Sequence, residues 1–260
     1  MMNNAEVTGQ LWDELAGEWY ARKRKAGVYQ KMMDNPDGVF HPEVREMLGD
    51  LKGRKVCVVG TGDNVAALAL ARLGAEVTAV DLSEQIVRQG RAVARELKVP
   101  VTMVCADAMN MQGVPDQSFD LVYTSNGFLT FLSDLPAFLS EVQRILKPGG
   151  FYLLFDVHPC LHPFGGYTDR LILKKDYDEI GPFTQALVWH WRTEDIINAI
   201  AGQHQMRIVK MRELKALPGT FWNEFIRDPE ALKKAKDPKI NPLWKLPQWI
   251  VVLANRESVS

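Results

Sequence analysis

The chain has 260 residues, 47% of them hydrophobic and 24% charged, with a formal net charge of −1. That balance suits a globular protein long enough to enclose a sizeable core, and it supplies no overall basic field to gather nucleic acid or an anionic membrane surface. No apolar run reaches membrane-spanning length, the polar start MMNNAEVTGQ lacks a secretory pattern, and only three cysteines (Cys57, Cys105, Cys160) are present, so a reducing cytoplasmic setting is expected.

Residues 8 to 24 place Leu11, Trp12, Leu15, Ala16 and Trp19 at helical spacing, which predicts an amphipathic helix ending in the basic cluster Arg22-Lys23-Arg24-Lys25. Gly27, Asn35-Pro36 and Asp37-Gly38 break residues 26–41 into turns. His41-Pro42 starts a short helix through Leu48, with Gly49 as its end. This leader, residues 1–54, either packs on the sheet edge or folds over a ligand as a lid.

The stretch from Lys55 to Ser83 organises the rest. Val56–Val59 is a continuous apolar run, as expected of a parallel strand buried on both faces. Gly60-Thr61-Gly62 turns the chain, a helix follows from Asn64, and Gly74 suits its exit. Glu76–Val80 is a second strand that ends at Asp81, roughly 20 residues past the first glycine, where a carboxylate can accept hydrogen bonds from a ribose diol. Ser83 caps a helix running to about Leu97; Val101–Cys105 is a third strand with Asp107 just beyond it; Phe119–Thr124 is a fourth, followed by Ser125-Asn126-Gly127. Leu135–Leu146 is a helix closed by Lys147-Pro148-Gly149-Gly150, and Phe151–Val157 is a fifth strand. Short strands alternating with helices predict right-handed crossovers and a mainly parallel sheet. Cys57 and Cys105, lying in strands, read as small buried apolar residues.

Past Pro159 the pattern loosens. His158-Pro159-Cys160-Leu161-His162 is a loop, and extended segments are expected near Leu171–Lys174 and Thr184–Trp191. A helix from Thr193, the candidate cap, to Ala201 precedes a strand over Met206–Leu214. Residues 216–247 are too proline-rich for regular structure throughout, and Trp249–Leu253 is a final strand. Two histidines and a cysteine within 158–162 suggest a metal, but no second ligand group at metal spacing accompanies them, so no metal site is assigned. Lying past the fifth strand, His158 is instead a candidate base for deprotonating a hydroxyl or amine, and His190, between Trp189 and Trp191, is another; plain surface histidines are the simpler reading.

Gly60 and Gly62 by themselves fit either a dinucleotide fingerprint or a methyltransferase loop. Val65 stands where the dinucleotide pattern wants a third small residue, and no GxxxxGK[ST] loop is present, which disfavours nucleoside triphosphates. Taken jointly, VVGTGDN, VTAVDLS, CADAMNM, SFDLVYTSNGFLTF and LKPGGFYLLF, in this order and spacing, resemble the class I S-adenosylmethionine-dependent methyltransferases, in particular the small-molecule group called type 11. The match departs at Asn64, where the common pattern has a third glycine.

The resemblance implies an α/β, Rossmann-like doubly wound sheet of seven strands, mostly parallel with the last antiparallel. The methyltransferase domain would span residues 55–260, with substrate-side insertions at 159–191 and 215–247. It implies that Gly60, Thr61, Gly62 and Asn64 approach the methionyl part of S-adenosylmethionine, that Asp81 binds the ribose and Leu82 packs on the adenine, that Asp107 and the Ala108 backbone meet the adenine amino group, and that Ser125 and Asn126 lie near the methionyl amine and methyl. For the two aspartates the plainer reading is a cap or turn carboxylate. Tyr20 is the leader residue expected to reach the cofactor, whereas Trp19 reads as core. The expected reaction is in-line methyl transfer to an O, N, S or C nucleophile of a small molecule, leaving S-adenosylhomocysteine. Five of the seven tryptophans lie after residue 185, so aromatic walls around a partly apolar or planar substrate are expected. An NAD(P)-dependent oxidoreductase and a non-catalytic cofactor-binding protein are the alternatives.

Overall fold

The computed structural model describes residues 4–164, 170–183, 187–217, 226 and 228–258. The leader forms three helices, α1 (Asn4–Lys25), α2 (Val28–Asp34) and α3 (Pro42–Leu48). Helix α2 corrects the expectation of turns alone over 26–41. Gly27, in the left-handed region at φ 65°, redirects the chain, and Tyr29 and Met32, three residues apart on one face, are buried. Asn35-Pro36 then stops the helix, and only a 3-10 turn at Asp37–Val39 follows. Helix α3 starts and stops as expected: His41 Nδ1 accepts the Glu43 N–H, and Gly49 leaves with φ 62°.

The chain continues as β1 (Lys55–Val59), α4 (Val65–Arg72), β2 (Glu76–Asp81), α5 (Glu84–Leu97), β3 (Val101–Cys105), β4 (Phe119–Ser125), α6 (Leu135–Ile145) and β5 (Leu146–Val157). It ends with α7 (Thr193–Ala201), β6 (Met206–Leu214), α8 (Pro229–Lys236) and β7 (Trp249–Arg256). The seven strands form one sheet in the order β3-β2-β1-β4-β5-β7-β6. Strands β1 to β5 pair in parallel, with Val58 opposite Ala79 on one side and Tyr123 on the other. The last strand of the chain, β7, is inserted antiparallel between β5 and β6, as expected. The winding reverses between β2 and β4, on either side of β1, and this opens a crevice at the carboxyl ends of the strands.

The continuous apolar run of β1 is used on both faces. Val56 and Val58 join one core with α4, α5 and the leader; Cys57 and Val59 join another with α6 and α7. The leader is part of the first core, since Tyr20, Met32 and Leu48 are fully buried within it. Helix α5 buries Ile86, Val87, Gly90 and Val93 along one stripe, and Ser83 Oγ caps it by accepting the Ile86 N–H at 3.0 Å. Each of its large apolar side chains contributes about 1.5–3 kcal/mol by leaving water.

Several local expectations are corrected. Helix α6 ends at Ile145, but Leu146 already pairs with Phe119, so the strand expected from Phe151 begins at Leu146 and Lys147-Pro148-Gly149-Gly150 is its bent start. Gly149 has φ 80°, and a Cβ on Gly150 would lie 2.9 Å from the Lys147 carbonyl oxygen. The segments near Leu171–Lys174 and Thr184–Trp191 form no strands among the described residues, only the single bridges Phe164–Leu173 and Phe183–Val188; residues 184–186 lie outside the described residues. Thr193 is the first residue of α7 and not its cap; the preceding Arg192 N–H donates to Asp195 Oδ2 at 2.9 Å. Cys57 is buried as expected, but Cys105 is exposed because β3 is an edge strand. Among the described residues no helix is long and apolar enough to cross a membrane.

Candidate active site

The turn after β1 faces the crevice. Gly60 and Gly62 take φ 69° and 52°, and the Gly60 N–H donates to the Val80 carbonyl at 2.9 Å. The two glycines serve different purposes. A Cβ on Gly60 would stand 2.1 Å from a ring carbon of Phe128, whereas at Gly62 nothing lies within 4 Å. Gly60 therefore admits an aromatic ring from the β4 exit, and Gly62 leaves open the space a side chain would take at the cavity wall.

Asp81, at the end of β2, is buried. Its Oδ2 accepts the Gly62 N–H at 3.0 Å and its Oδ1 accepts the Ser83 N–H at 3.1 Å. Burial pushes its carboxyl up to about 6 against the lowering effect of those hydrogen bonds. With the Leu82 N–H as a further donor, the carboxylate still has acceptor capacity left for a ribose hydroxyl. Leu82 lies against Gly9 of α1, where a Cβ would approach to 3.6 Å. Asp107, beyond β3, accepts the Met109 N–H at 2.9 Å through Oδ1 and folds its own loop, and Ala108 beside it is buried.

Beyond β4, Asn126 at φ 63° and Gly127 at φ 86° lead into a 3-10 turn over Phe128–Phe131. Asp156 on β5 holds this turn. Its buried carboxylate accepts the N–H groups of Gly127 and Leu129, the latter at 3.0 Å, and burial pushes it up to about 6. Sequence reasoning missed Asp156; the signal available was an acid inside the apolar run of a buried strand.

Two residues expected to touch the cofactor stand behind the loop instead. The Tyr20 hydroxyl donates to the Gly62 carbonyl at 2.9 Å and accepts from Asn64 Nδ2. Asn64, at φ 62° and 1% exposed, accepts the Thr61 hydroxyl at 2.7 Å. Neither lines the cavity. Asn64 is thus a backbone-compatible strut between the loop and α1. Gly90 of α5 makes room for it: a Cβ there would stand 2.2 Å from Asn64 Nδ2.

The histidines divide likewise. His158 does not line the cavity; its Nε2 meets Glu213 at 2.7 Å, and its Nδ1 accepts the Cys160 N–H at 3.1 Å, so both ring nitrogens are committed. Burial lowers its pKa despite the glutamate. His190 does line the cavity, stacked on His162 at 4.3 Å between centroids and 4° between planes. Burial lowers His162 to about 3 and His190 to about 4, so both are neutral at pH 7.

The cavity measures about 1640 Å³, more than the roughly 300–1,000 Å³ typical of a single ligand. Gly60, Thr61, Gly62, Asp81, Leu82, Asp107, Ala108, Ser125 and Asn126 line it, as does His190. Trp12 and Trp19 of the leader line it too, meeting edge to face at 5.5 Å, so the stripe read as core also forms cavity wall.

Residues 57–154 match the family model described as a methyltransferase domain. A 101-residue stretch, 39% of this chain, is 36% identical to a ubiquinone biosynthesis O-methyltransferase of Xanthomonas oryzae pv. oryzae and covers 42% of that relative's length. An S-adenosylmethionine-dependent methyltransferase from Mesorhizobium loti superposes with a TM-score of 0.61 at 22% identity, over 86% of this chain and 100% of that one. A geranyl diphosphate C-methyltransferase from Streptomyces coelicolor A3(2), crystallised with S-adenosyl-L-homocysteine, superposes at 0.60 with 16% identity, over 82% of this chain and 74% of that one. The family match falls on the segment that carries the glycine turn, both aspartates and the β4 exit. Residues 57–154 thus match a methyltransferase domain, and the fold is that of solved S-adenosylmethionine-dependent methyltransferases.

Proposed function

We propose that this protein transfers a methyl group from S-adenosylmethionine to an oxygen, nitrogen, sulfur or carbon nucleophile of a small molecule. The observation that carries the reading is the convergence of the glycine turn at Gly62, the Asp81 carboxylate and Asp107 on one cavity large enough for a cofactor and a second ligand. The residues present fit the cofactor. Asp81 offers two buried acceptor oxygens for a ribose diol, Leu82 an apolar surface for a base, and Asp107 an acceptor for an exocyclic amine. Ser125, Asn126 and the loop backbone would hold the methionyl end.

When bound, the sulfonium supplies an activated methyl group, so the protein's task is alignment and exclusion of water. Phe128, wedged on Gly60 and pinned through Asp156, would fix the floor on which the reactants meet. Tyr20 and Asn64 would keep the loop in its left-handed conformation through the change of ligand. His190, neutral at working pH, would accept the hydrogen bond of an attacking O–H or N–H. The leader would act as one wall of the site, since Trp12 and Trp19 line the cavity it shares with Gly62.

Calorimetry of the purified chain with S-adenosylhomocysteine and with NADH tests the reading. The adenosyl-sulfur ligand should bind and the dinucleotide should not. Binding of NADH alone would replace methyl transfer with hydride transfer.

A further inference from the structure

Several segments lining the cavity are tied to one another. The Trp189 N–H donates to the Thr130 carbonyl at 2.7 Å, fastening 187–191 to the turn that rests on Gly60. His190 stacks on His162, and the His158 N–H donates to the Gln248 carbonyl at 2.9 Å, which brings the 158–162 turn against the start of β7. Trp249 meets Phe155 at 4.7 Å between centroids, and Phe155 meets His41 at 6.3 Å. The walls are therefore flat rings, which bury a planar ligand with little loss of side-chain freedom.

The polar atoms of these segments are left over from the fold. Gln248, 2% exposed, has Oε1 without a partner, and His190 Nδ1 is buried without one. The His162 ring makes no hydrogen bond to a described residue. Buried polar groups are rarely left unsatisfied unless a ligand or water completes them. The lining itself carries no buried charge at this aromatic end; Lys175, outside the lining, holds its Nζ 4.3 Å over Phe183, which meets His190 at 4.7 Å, and donates to the Glu179 carbonyl. Among the described residues lining the cavity, Asp63, Asp81 and Asp107 belong to the cofactor loops, Lys23 pairs with Asp63 at 2.7 Å, and Lys31, Asp34 and Lys236 are exposed at the rim. An ammonium carried to the aromatic end would meet the Lys175 cation across Phe183 and no buried counter-charge, and a phosphate would meet only that half-buried cation, already bonded to a carbonyl.

We propose that this chamber binds an uncharged, planar aromatic molecule bearing a hydroxyl or amino group, oriented by His162, His190 and Gln248. A neutral imidazole offers one donor and one acceptor, and the carboxamide oxygen offers an acceptor, so a hydroxyl or amine is complementary where an anion is not. The proposal rests on the methyl-transfer reading only in taking that hydroxyl or amine as the methylated group.

Ligand-observed NMR titration of the full chain with 1-naphthol, naphthalene and 1-naphthyl phosphate, with and without S-adenosylhomocysteine, tests it. Naphthol should bind tightest, and the phosphate at least tenfold more weakly. His162→Phe keeps a flat ring and removes the nitrogens. It should weaken naphthol at least fivefold and leave naphthalene unchanged, whereas a purely structural role would move both. Equal or tighter binding of the phosphate overturns the proposal, as does a His162→Phe variant that affects both ligands alike or neither. If that variant does not fold, the wild-type series decides. Failure of S-adenosylhomocysteine to bind while the naphthol order holds would refute the cofactor reading and leave the chamber standing.

Discussion

Asn64 stands where the family resemblance leads one to expect glycine, so Asn64→Gly is the sharpest test of how this loop is held. The change removes the acceptor of the Thr61 hydroxyl, 2.7 Å away, and the donor to the buried Tyr20 hydroxyl. Each buried hydrogen bond is worth about 1 kcal/mol net, and each group left with fewer partners costs about 1–3 kcal/mol. The residue is already left-handed at φ 62°, a conformation asparagine tolerates, so glycine recovers only about 1 kcal/mol of backbone strain. It also leaves a void beside Gly90, whose missing Cβ admits the amide. The balance is a loss of about 2–3 kcal/mol, or roughly 5–10 °C in Tm for a chain of this size. Calorimetric melting of Asn64→Gly, Tyr20→Phe and the double variant measures it, and the two changes should be coupled by about 1 kcal/mol or more because they share one bond. A glycine variant that melts at or above the wild type, or two additive losses, would refute the strut.

Four further outcomes are expected. Affinity for S-adenosylhomocysteine should fall as pH drops below about 6, by up to tenfold per unit, because Asp81 must be ionised to accept the ribose hydroxyls; Asp81→Asn should bind weakly with a flatter profile, and an unchanged profile would reassign the group. In the free protein the sign is opposite. The folded pKa values of Asp81 and Asp156 lie above the ordinary value, so the native state binds more protons between about pH 4 and 6, and their contribution should fall as pH rises through that window, read as a higher urea midpoint at pH 5 than at pH 7 in the wild type relative to Asp156→Asn. Gly60→Ala should lose at least tenfold in S-adenosylhomocysteine affinity, since a left-handed alanine costs about 1–2 kcal/mol and its Cβ displaces the Phe128 ring; wild-type affinity would show that the ring yields freely. His158→Ala should lower Tm by loosening the 158–162 turn while leaving S-adenosylhomocysteine affinity within twofold, and a large affinity loss would return His158 to the cavity.

The sequence by itself determined the sheet and one end of the site. A run such as Val56–Val59 fits burial on two faces, and a glycine pair followed by a strand ending in an acid fits a nucleoside cofactor, so β1 to β5 and the lining positions Gly60, Gly62 and Asp81 were legible from local pattern, whereas Asp107 and Ser125 were expected only from the family resemblance. Tertiary structure decided what local pattern does not encode, namely which side of a loop a polar side chain faces. Tyr20 and Asn64 are 44 positions apart and meet only because α1 packs on α5; their mutual bond turns both away from the cavity. His158 and Glu213 are 55 positions apart and meet across the turn beside β6, which consumes the histidine that seemed best placed. His162 and His190, separated by a segment with little regular structure, become the cavity's stacked pair through long-range packing alone. Asp156 is likewise explained only by the N–H groups of a turn 27 and 29 positions earlier. Period and turn chemistry act over a few residues, whereas these contacts depend on how distant elements close around one cavity.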